Sequence, residues 1–152
     1  MRKRSILFFF FLSLSIFLQC KGMTSPQNED FTLQLLYSNK KNGSIIKEIY
    51  TMEKNNLSIE KSSGEKASFQ LSEEEFSNFI LLLRKKNLLH SSEYSGSENA
   101  KSSEDYQLST HIYGKDIHIR IQNYAEESKA ESTVLDRRNA ILEVRSFLKN
   151  RK

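Results

Sequence analysis

The chain has 152 residues, enough for one domain, with 23 Lys and Arg against 19 Asp and Glu. Three of the basic residues, and none of the acidic ones, lie in the first nineteen positions, so the remainder carries 20 positive and 19 negative charges, about +1 net. Proteins that bind nucleic acids usually carry a basic stripe over the folded domain. Because both signs are interspersed here, we expect no nucleic-acid partner.

The first nineteen residues have the pattern of a secretory signal peptide. Arg2, Lys3 and Arg4 precede an apolar run that ends at Leu18, is about fourteen residues long and contains serines. A helix that crosses the hydrocarbon core of a bilayer needs about twenty apolar residues. The sequence therefore predicts a signal peptide over 1–19, with its basic end held in the cytoplasm and the rest of the chain exported.

Cys20 is the only cysteine, and it follows this apolar run directly. The sequence Phe17-Leu18-Gln19-Cys20 resembles the lipobox of bacterial lipoproteins, in a relaxed form because Phe17 and Gln19 replace the usual Leu and small residue. The resemblance implies that the Cys20 thiol receives a diacylglyceryl group, that the leader is cut before Cys20, and that the new N-terminus is acylated. The alternative is an uncleaved leader that acts as a short anchor.

Residues 20–30 are polar and contain the only proline, which favours a flexible tether between the lipid and the folded part. Lys21, rather than Asp, follows the cysteine. By resemblance to well-studied lipoproteins, this implies delivery to the outer membrane rather than retention at the inner membrane.

From Phe31 onward the apolar residues recur at every second position, as in a half-buried strand. Asn42-Gly43 is a strong hairpin signal because both residues tolerate positive φ. Further strands are predicted over 45–53, 57–61 and 66–71. The first half of the domain therefore reads as a four-stranded meander.

The first helix has the clearest signals. Ser72 and Glu75 have the spacing of a capping box, and Asn87 suits the left-handed position that ends a helix. Between them lies a stripe with i, i+3, i+4, i+7 spacing: Phe76, Phe79, Ile80 and Leu83. We interpret this stripe as core packing rather than as a ligand site.

Residues 90–105 contain six serines and show no apolar period. The pattern predicts a long loop, a feature that is usually either disordered or functional. In the functional alternative, Tyr94 is the single aromatic anchor of a contact loop.

A second hairpin follows, with Gly114-Lys115 as a two-residue type II′ turn. That register pairs 112 with 117 and 110 with 119, and it places His111 opposite His118, near enough for two imidazoles to share a metal. Zinc sites need three or four ligands, and the only further candidate is the remote His90. The alternative, which we favour, is two solvated histidines, and we expect no metal or other cofactor.

The last helix is predicted over 133–149, with a capping box formed by Thr133 and Asp136 and with Arg137-Arg138 on a solvated face. The element order is then ββββ-α-ββ-α. This order predicts one small α+β domain over 31–152, in which two helices pack on one face of an antiparallel sheet.

The sequence contains no P-loop, G-x-S-x-G, H-E-x-x-H or C-x-x-C motif. We therefore expect no enzymatic activity, and we expect an exported, membrane-anchored binding or structural module of the bacterial envelope with a protein partner. From Leu71 onward, the order of elements and several apolar positions resemble emfourin-type bacterial inhibitors of metalloproteases, over about half of the chain. The resemblance implies protease inhibition as the alternative function and assigns no residue. A hydrolase is the third hypothesis, and it would require a deep cleft with paired polar groups.

Overall fold

The computed structural model describes residues 30–96, 102–125 and 130–151. They form a single small α+β domain of one mixed sheet and two helices. The strands and helices, in chain order, are β1 (Thr32–Lys41), β2 (Ser44–Glu53), β3 (Asn56–Lys61), β4 (Lys66–Gln70), α1 (Glu73–Lys85), β5 (Ser92–Ser95), β6 (Ser102–Ile112), β7 (Lys115–Tyr124) and α2 (Ser132–Lys149).

The seven strands lie in the order β4-β3-β2-β1-β6-β7-β5. All neighbours are antiparallel except β5, which runs parallel to β7. The prediction of a purely antiparallel sheet is therefore wrong at this edge. The strand was missed because it lies in the serine-rich segment predicted as the loop 90–105, of which only residues 97–101 lie outside the described residues.

The predicted β1–β2 hairpin is confirmed. Asn42 and Gly43 have φ of 50° and 82°, the conformation that a type I′ turn requires at both central positions. In the resulting register Leu35 lies opposite Tyr50, and both side chains are fully buried.

The signals at both ends of α1 are also confirmed. The Ser72 hydroxyl accepts a hydrogen bond from the Glu75 backbone N–H, and the Glu75 carboxylate accepts one from the Ser72 backbone N–H. At the other end Asn87 has a φ of 55°, and the Leu88 N–H donates to the Leu83 carbonyl at 2.9 Å. This is a Schellman closure, and it folds the buried Leu88 back against the helix.

The start of α2 differs from the prediction. The helix is capped by Glu131, whose side chain makes no capping hydrogen bond, so the predicted Thr133–Asp136 capping box is wrong. The fully or nearly fully buried residues of the helix are Ala140, Ile141, Val144 and Leu148.

The β6–β7 hairpin is shifted by two residues from the predicted register. Its two-residue turn is Tyr113-Gly114, with φ of 54° and 67°, so that Ile112 pairs with Lys115 and Thr110 with Ile117. An even shift leaves every side chain on the same face of the sheet. The apolar pattern therefore could not distinguish the two registers. In the observed register, the Arg84 guanidinium lies over the Tyr113 ring, 5.0 Å from the ring centroid.

Both helices pack on one face of the sheet, where the hydrophobic core lies. The ring of Phe31, which directly precedes β1, meets the Phe76 ring of α1 edge-to-face at 5.1 Å, and Phe79 of α1 contacts Phe147 of α2 at 5.2 Å. We call this side of the sheet the covered face and the opposite side the open face. None of the helices in the described part of the chain is long and apolar enough to span a bilayer.

Candidate functional site: the open face of the sheet

The predicted lipidation site lies outside the described residues. The signal peptide over 1–19, Cys20 and the tether up to residue 29 all precede the first described residue, Asp30. Their assignment remains a prediction from the sequence.

The two histidines proposed as a metal pair do not face each other. His111 pairs with Asp116, with 2.7 Å between Nδ1 and Oδ1, and His118 pairs with Ser109, with 3.2 Å between Nδ1 and Oγ. The two imidazoles are diagonal neighbours on the open face because the turn is displaced. Over the described ranges, no group of three or more His, Cys, Asp and Glu side chains could hold a metal ion.

Tyr94 lies in β5 rather than in a loop. It pairs with Ile121 of β7, is half-buried, and packs against the hydrophobic core. The ring therefore contributes to the packing of the edge strand on the covered face.

The most strongly perturbed carboxylate is Glu48, which β2 presents to the covered face. Arg145 Nε donates to Glu48 Oε2 at 2.7 Å, and the Tyr50 hydroxyl donates to the same oxygen at 2.7 Å. Burial by itself raises the pKa of Glu48, but these two hydrogen bonds and the charges of Arg145 and Lys149 outweigh burial and lower the pKa to about 2. Glu48 is therefore ionised and fully partnered.

A second buried pair joins α2 to β6. Arg138 Nη2 lies 2.6 Å from Glu104 Oε2, and the Tyr106 hydroxyl donates to the same oxygen at 2.6 Å. Burial raises the pKa of Glu104, and the hydrogen bonds from Tyr106 and Arg138 more than offset it, so the pKa is lowered. The expectation that Arg138 is solvated is wrong.

These two ion pairs hold α2 across the sheet, because each joins a helical arginine to a strand. Their carboxylates accept hydrogen bonds from several donors, including the helical arginines, so both already have structural partners. No local pattern predicted them, since Glu48 and Arg145 are 97 residues apart in sequence. We therefore assign both ion pairs a role in stabilising the fold.

The open face carries mainly polar and charged side chains. By the observed register, they include Gln34, Ser38, Thr51, Ser58, Ser68, Gln107, Ser109 and Gln122. At its centre Leu36 of β1 lies directly opposite Ile49 of β2, and both side chains are only half-buried. An apolar centre with a polar rim is the usual anatomy of a protein–protein contact surface.

Two depressions flank this centre, and both are shallow and wide open to solvent. One, of about 590 Å³, lies over β2–β4 and includes Thr51, Ser58 and Ser68. The other, of about 520 Å³, lies over β5–β7 and includes His118 and Arg120. The open face is therefore broad and gently contoured, a shape that fits a macromolecular surface better than a small molecule.

One residue in the sequence indicated the apolar centre of the open face, but the alternating pattern of β1 drew attention away from it. Leu36 breaks the alternation of β1, because Leu35 and Leu36 are adjacent and so point to opposite faces. In a strand with one solvated face, such an outward leucine marks a candidate contact residue.

Comparison with known proteins adds no family. Neither the scan against protein-family models nor the search of curated proteins found a match to this chain.

Proposed function

We propose that the protein is a lipid-anchored module of the bacterial cell envelope that binds another protein through the open face and catalyses no reaction. The leader and Cys20 support export and anchoring, with the outer membrane as the expected site. The observation that carries the binding role is the half-buried Leu36–Ile49 pair at the centre of a sheet face that neither helix covers.

The two faces of the sheet differ in how much apolar surface they leave in contact with water. On the covered face, α1 and α2 bury the apolar core, and arginines of α2 pair with Glu48 and Glu104. At its centre the open face keeps two branched aliphatic side chains, Leu36 and Ile49, partly in contact with water, and a partner that covered them would remove apolar surface from water at about 25 cal/mol per Å². Around them Thr51 and Gln107 supply uncharged hydrogen-bonding groups to a partner, and Glu60, which lies directly opposite Ile49, adds a negative charge.

The anchoring half of the proposal is tested by metabolic labelling with a fatty acid. The wild-type chain should incorporate the label and the Cys20→Ala variant should not, because the thiol is the acceptor. Equal labelling of the two chains would refute lipidation at Cys20.

The binding half is tested by photo-crosslinking in intact cells. A photo-reactive amino acid at Gln34, which is exposed on the open face, should give a discrete protein adduct, and one at Asn78, which is exposed on α1, should not. Adding Leu36→Asp should lower the yield from position 34 by about tenfold or more, since interface centres hold most of the binding energy.

Equal adducts from positions 34 and 78, or a yield unaffected by Leu36→Asp in a variant that melts like the wild type, would contradict the use of the open face. The identity of the adduct separates this function from its alternative. An adduct with a secreted metalloprotease, together with inhibition of that enzyme by the purified domain, would favour the inhibitor role.

A further inference from the structure

The end of the β1–β2 hairpin has a composition unlike the rest of the surface. We call residues 40–47 the hairpin tip. Ile45 and Ile46 are 54% and 58% exposed. The tip also carries Lys40, Lys41 and Lys47 and contains no acidic residue.

The isoleucines are exposed because β2 extends beyond strand β3, whose pairing with β2 ends with Lys61 opposite Glu48. Helix α2 contacts β2 at the same residue, Glu48, through Arg145 and Lys149. On the other side of the hairpin, β1 pairs with β6 as far as Lys41. At Ile45 and Ile46, therefore, β2 is paired with β1 alone and forms an open edge of the sheet.

The two isoleucines point to opposite faces of the sheet, because side chains alternate along a strand. On the open face Ile45 lies opposite Lys40, and on the other face Ile46 lies opposite Asn39. Among the described residues, no carboxylate pairs with any of the three lysines of the tip. The tip is thus a basic wedge that is apolar on both sides.

We infer that the hairpin tip binds the surface of an anionic lipid bilayer. A bilayer surrounds an inserted wedge and so receives both isoleucines at once, whereas a flat protein surface would cover one face of the strand. The lysine stems can lie along the apolar region while their ammonium groups remain at the phosphates. Lysines near an anionic surface each contribute on the order of 1 kcal/mol of attraction.

The position of the tip fits a second membrane contact for an anchored domain. The tip lies at the far end of β1 from Phe31, about 30 Å away at 3.3 Å per residue. The ten steps along the chain from Cys20 to Asp30 span at most about 35 Å. With the lipid at Cys20, a point that rests on the proposed function, the tether is long enough for the lipid and the tip to reach the same bilayer; the tip's own affinity for lipid does not depend on it.

The test uses the chain from residue 20 with Cys20→Ser, so that no acyl group contributes to binding. This chain contains every residue of the buried core, which runs from Phe31 to Leu148. Co-sedimentation is measured with vesicles of phosphatidylcholine mixed with phosphatidylglycerol, and with vesicles of phosphatidylcholine alone. We expect binding to the anionic vesicles that weakens as salt is added, and much weaker binding to the neutral ones.

Two tip variants and two controls locate the contact. The double variant Ile45→Ser/Ile46→Ser should lower the affinity by about tenfold or more, and the triple variant Lys40→Gln/Lys41→Gln/Lys47→Gln by a similar factor. The matched controls are Leu81→Ser, a 57% exposed leucine on α1, and Lys85→Gln at the end of the same helix. Both controls should bind like the parent chain.

A parent chain that melts cooperatively but does not sediment with anionic vesicles would overturn the inference. Tip variants that bind as well as the parent chain would do the same. If the wild-type chain incorporated no fatty acid but the domain still bound vesicles, only the proposed anchor would be refuted. The two proposals can therefore be refuted independently.

Discussion

The covered and open faces of the sheet are made by alternate residues of the same strands, yet they behave as different kinds of surface. On the covered face, Leu35, Tyr50 and Leu108 are fully buried, and even the carboxylates are bound by helical arginines. On the open face, the residues between them are mainly polar or charged and remain exposed or half-buried. The difference shows that the strands place their apolar residues on one face and that the two helices complete the burial of that face.

The largest expected effect comes from two adjacent leucines, one on each face. Leu35→Ala should lower the free energy of unfolding by about 3 kcal/mol, because it leaves a cavity in a fully buried site. Leu36→Ala should lower it by less than about 1 kcal/mol, since its side chain is only half-buried. Urea unfolding of both variants checks this, and similar losses would show that the two faces are not distinct.

An intermediate effect is expected from the buried ion pair of the covered face. The pKa of Glu48 is lowered to about 2 in the folded state, against an ordinary value of 4.5. Its ionised form therefore stabilises the fold above about pH 4.5, and this contribution is lost as the pH falls from there towards 2. Glu48→Gln should lower the stability at neutral pH by about 2 kcal/mol, because Arg145 loses its charged partner.

Thermal unfolding from pH 7 to pH 2 gives the measurement. The wild-type melting temperature should fall more steeply below pH 4.5 than that of Glu48→Gln. Both profiles keep a further slope in the same direction from Glu104, whose pKa is also lowered. Glu53→Gln, which removes an exposed carboxylate from the open face, is the control, and a Glu48→Gln profile parallel to that of the wild type would contradict the assignment.

The smallest expected effect concerns the β6–β7 turn. The predicted and observed registers of this hairpin differ by two residues, so each side chain lies on the same face of the sheet in both. Tyr113 has a φ of 54°, which a β-branched residue tolerates poorly. Tyr113→Val should therefore cost about 1 kcal/mol, whereas Lys115→Val, at the first position of β7, should be nearly neutral.

Arg84→Ala controls for the contact between the Arg84 guanidinium and the Tyr113 ring, which Tyr113→Val also removes. The measurement is the free energy of unfolding of all three variants. A loss in Tyr113→Val no larger than that in Arg84→Ala would argue against the observed turn.

Local signals in the sequence accounted for most of the elements. The β1–β2 turn, the capping box of α1 and its closure at Asn87 each depend on residues within a few positions of one another, so the sequence could identify them. The start of α2 shows the limit of the same reasoning. Thr133 and Asp136 have the correct spacing, but the helix begins earlier, and spacing alone does not fix the residue at which a helix starts.

Features that depend on distant residues could not be predicted in this way. Strand β5 has no apolar alternation, and it is ordered by pairing with β7, which comes later in the chain. The supposed histidine pair failed because registers that differ by two residues give the same hydrophobic pattern. The hairpin tip was missed for a related reason, since consecutive isoleucines satisfy a strand pattern whether or not a neighbour covers them.

The sequence by itself determined the order of nearly all elements and the faces to which their side chains point, because helix caps, turn residues and alternation act over short distances. It also predicts a signal peptide over 1–19 and lipidation at Cys20, on which the proposed anchoring depends. Tertiary structure alone decided which strands are neighbours, which carboxylates are paired, and that the open face and the hairpin tip remain uncovered. These outcomes depend on how far α2 and β3 extend over the sheet, and they arise from contacts between residues far apart in the chain, such as Glu48 and Arg145, which are separated by 97 positions.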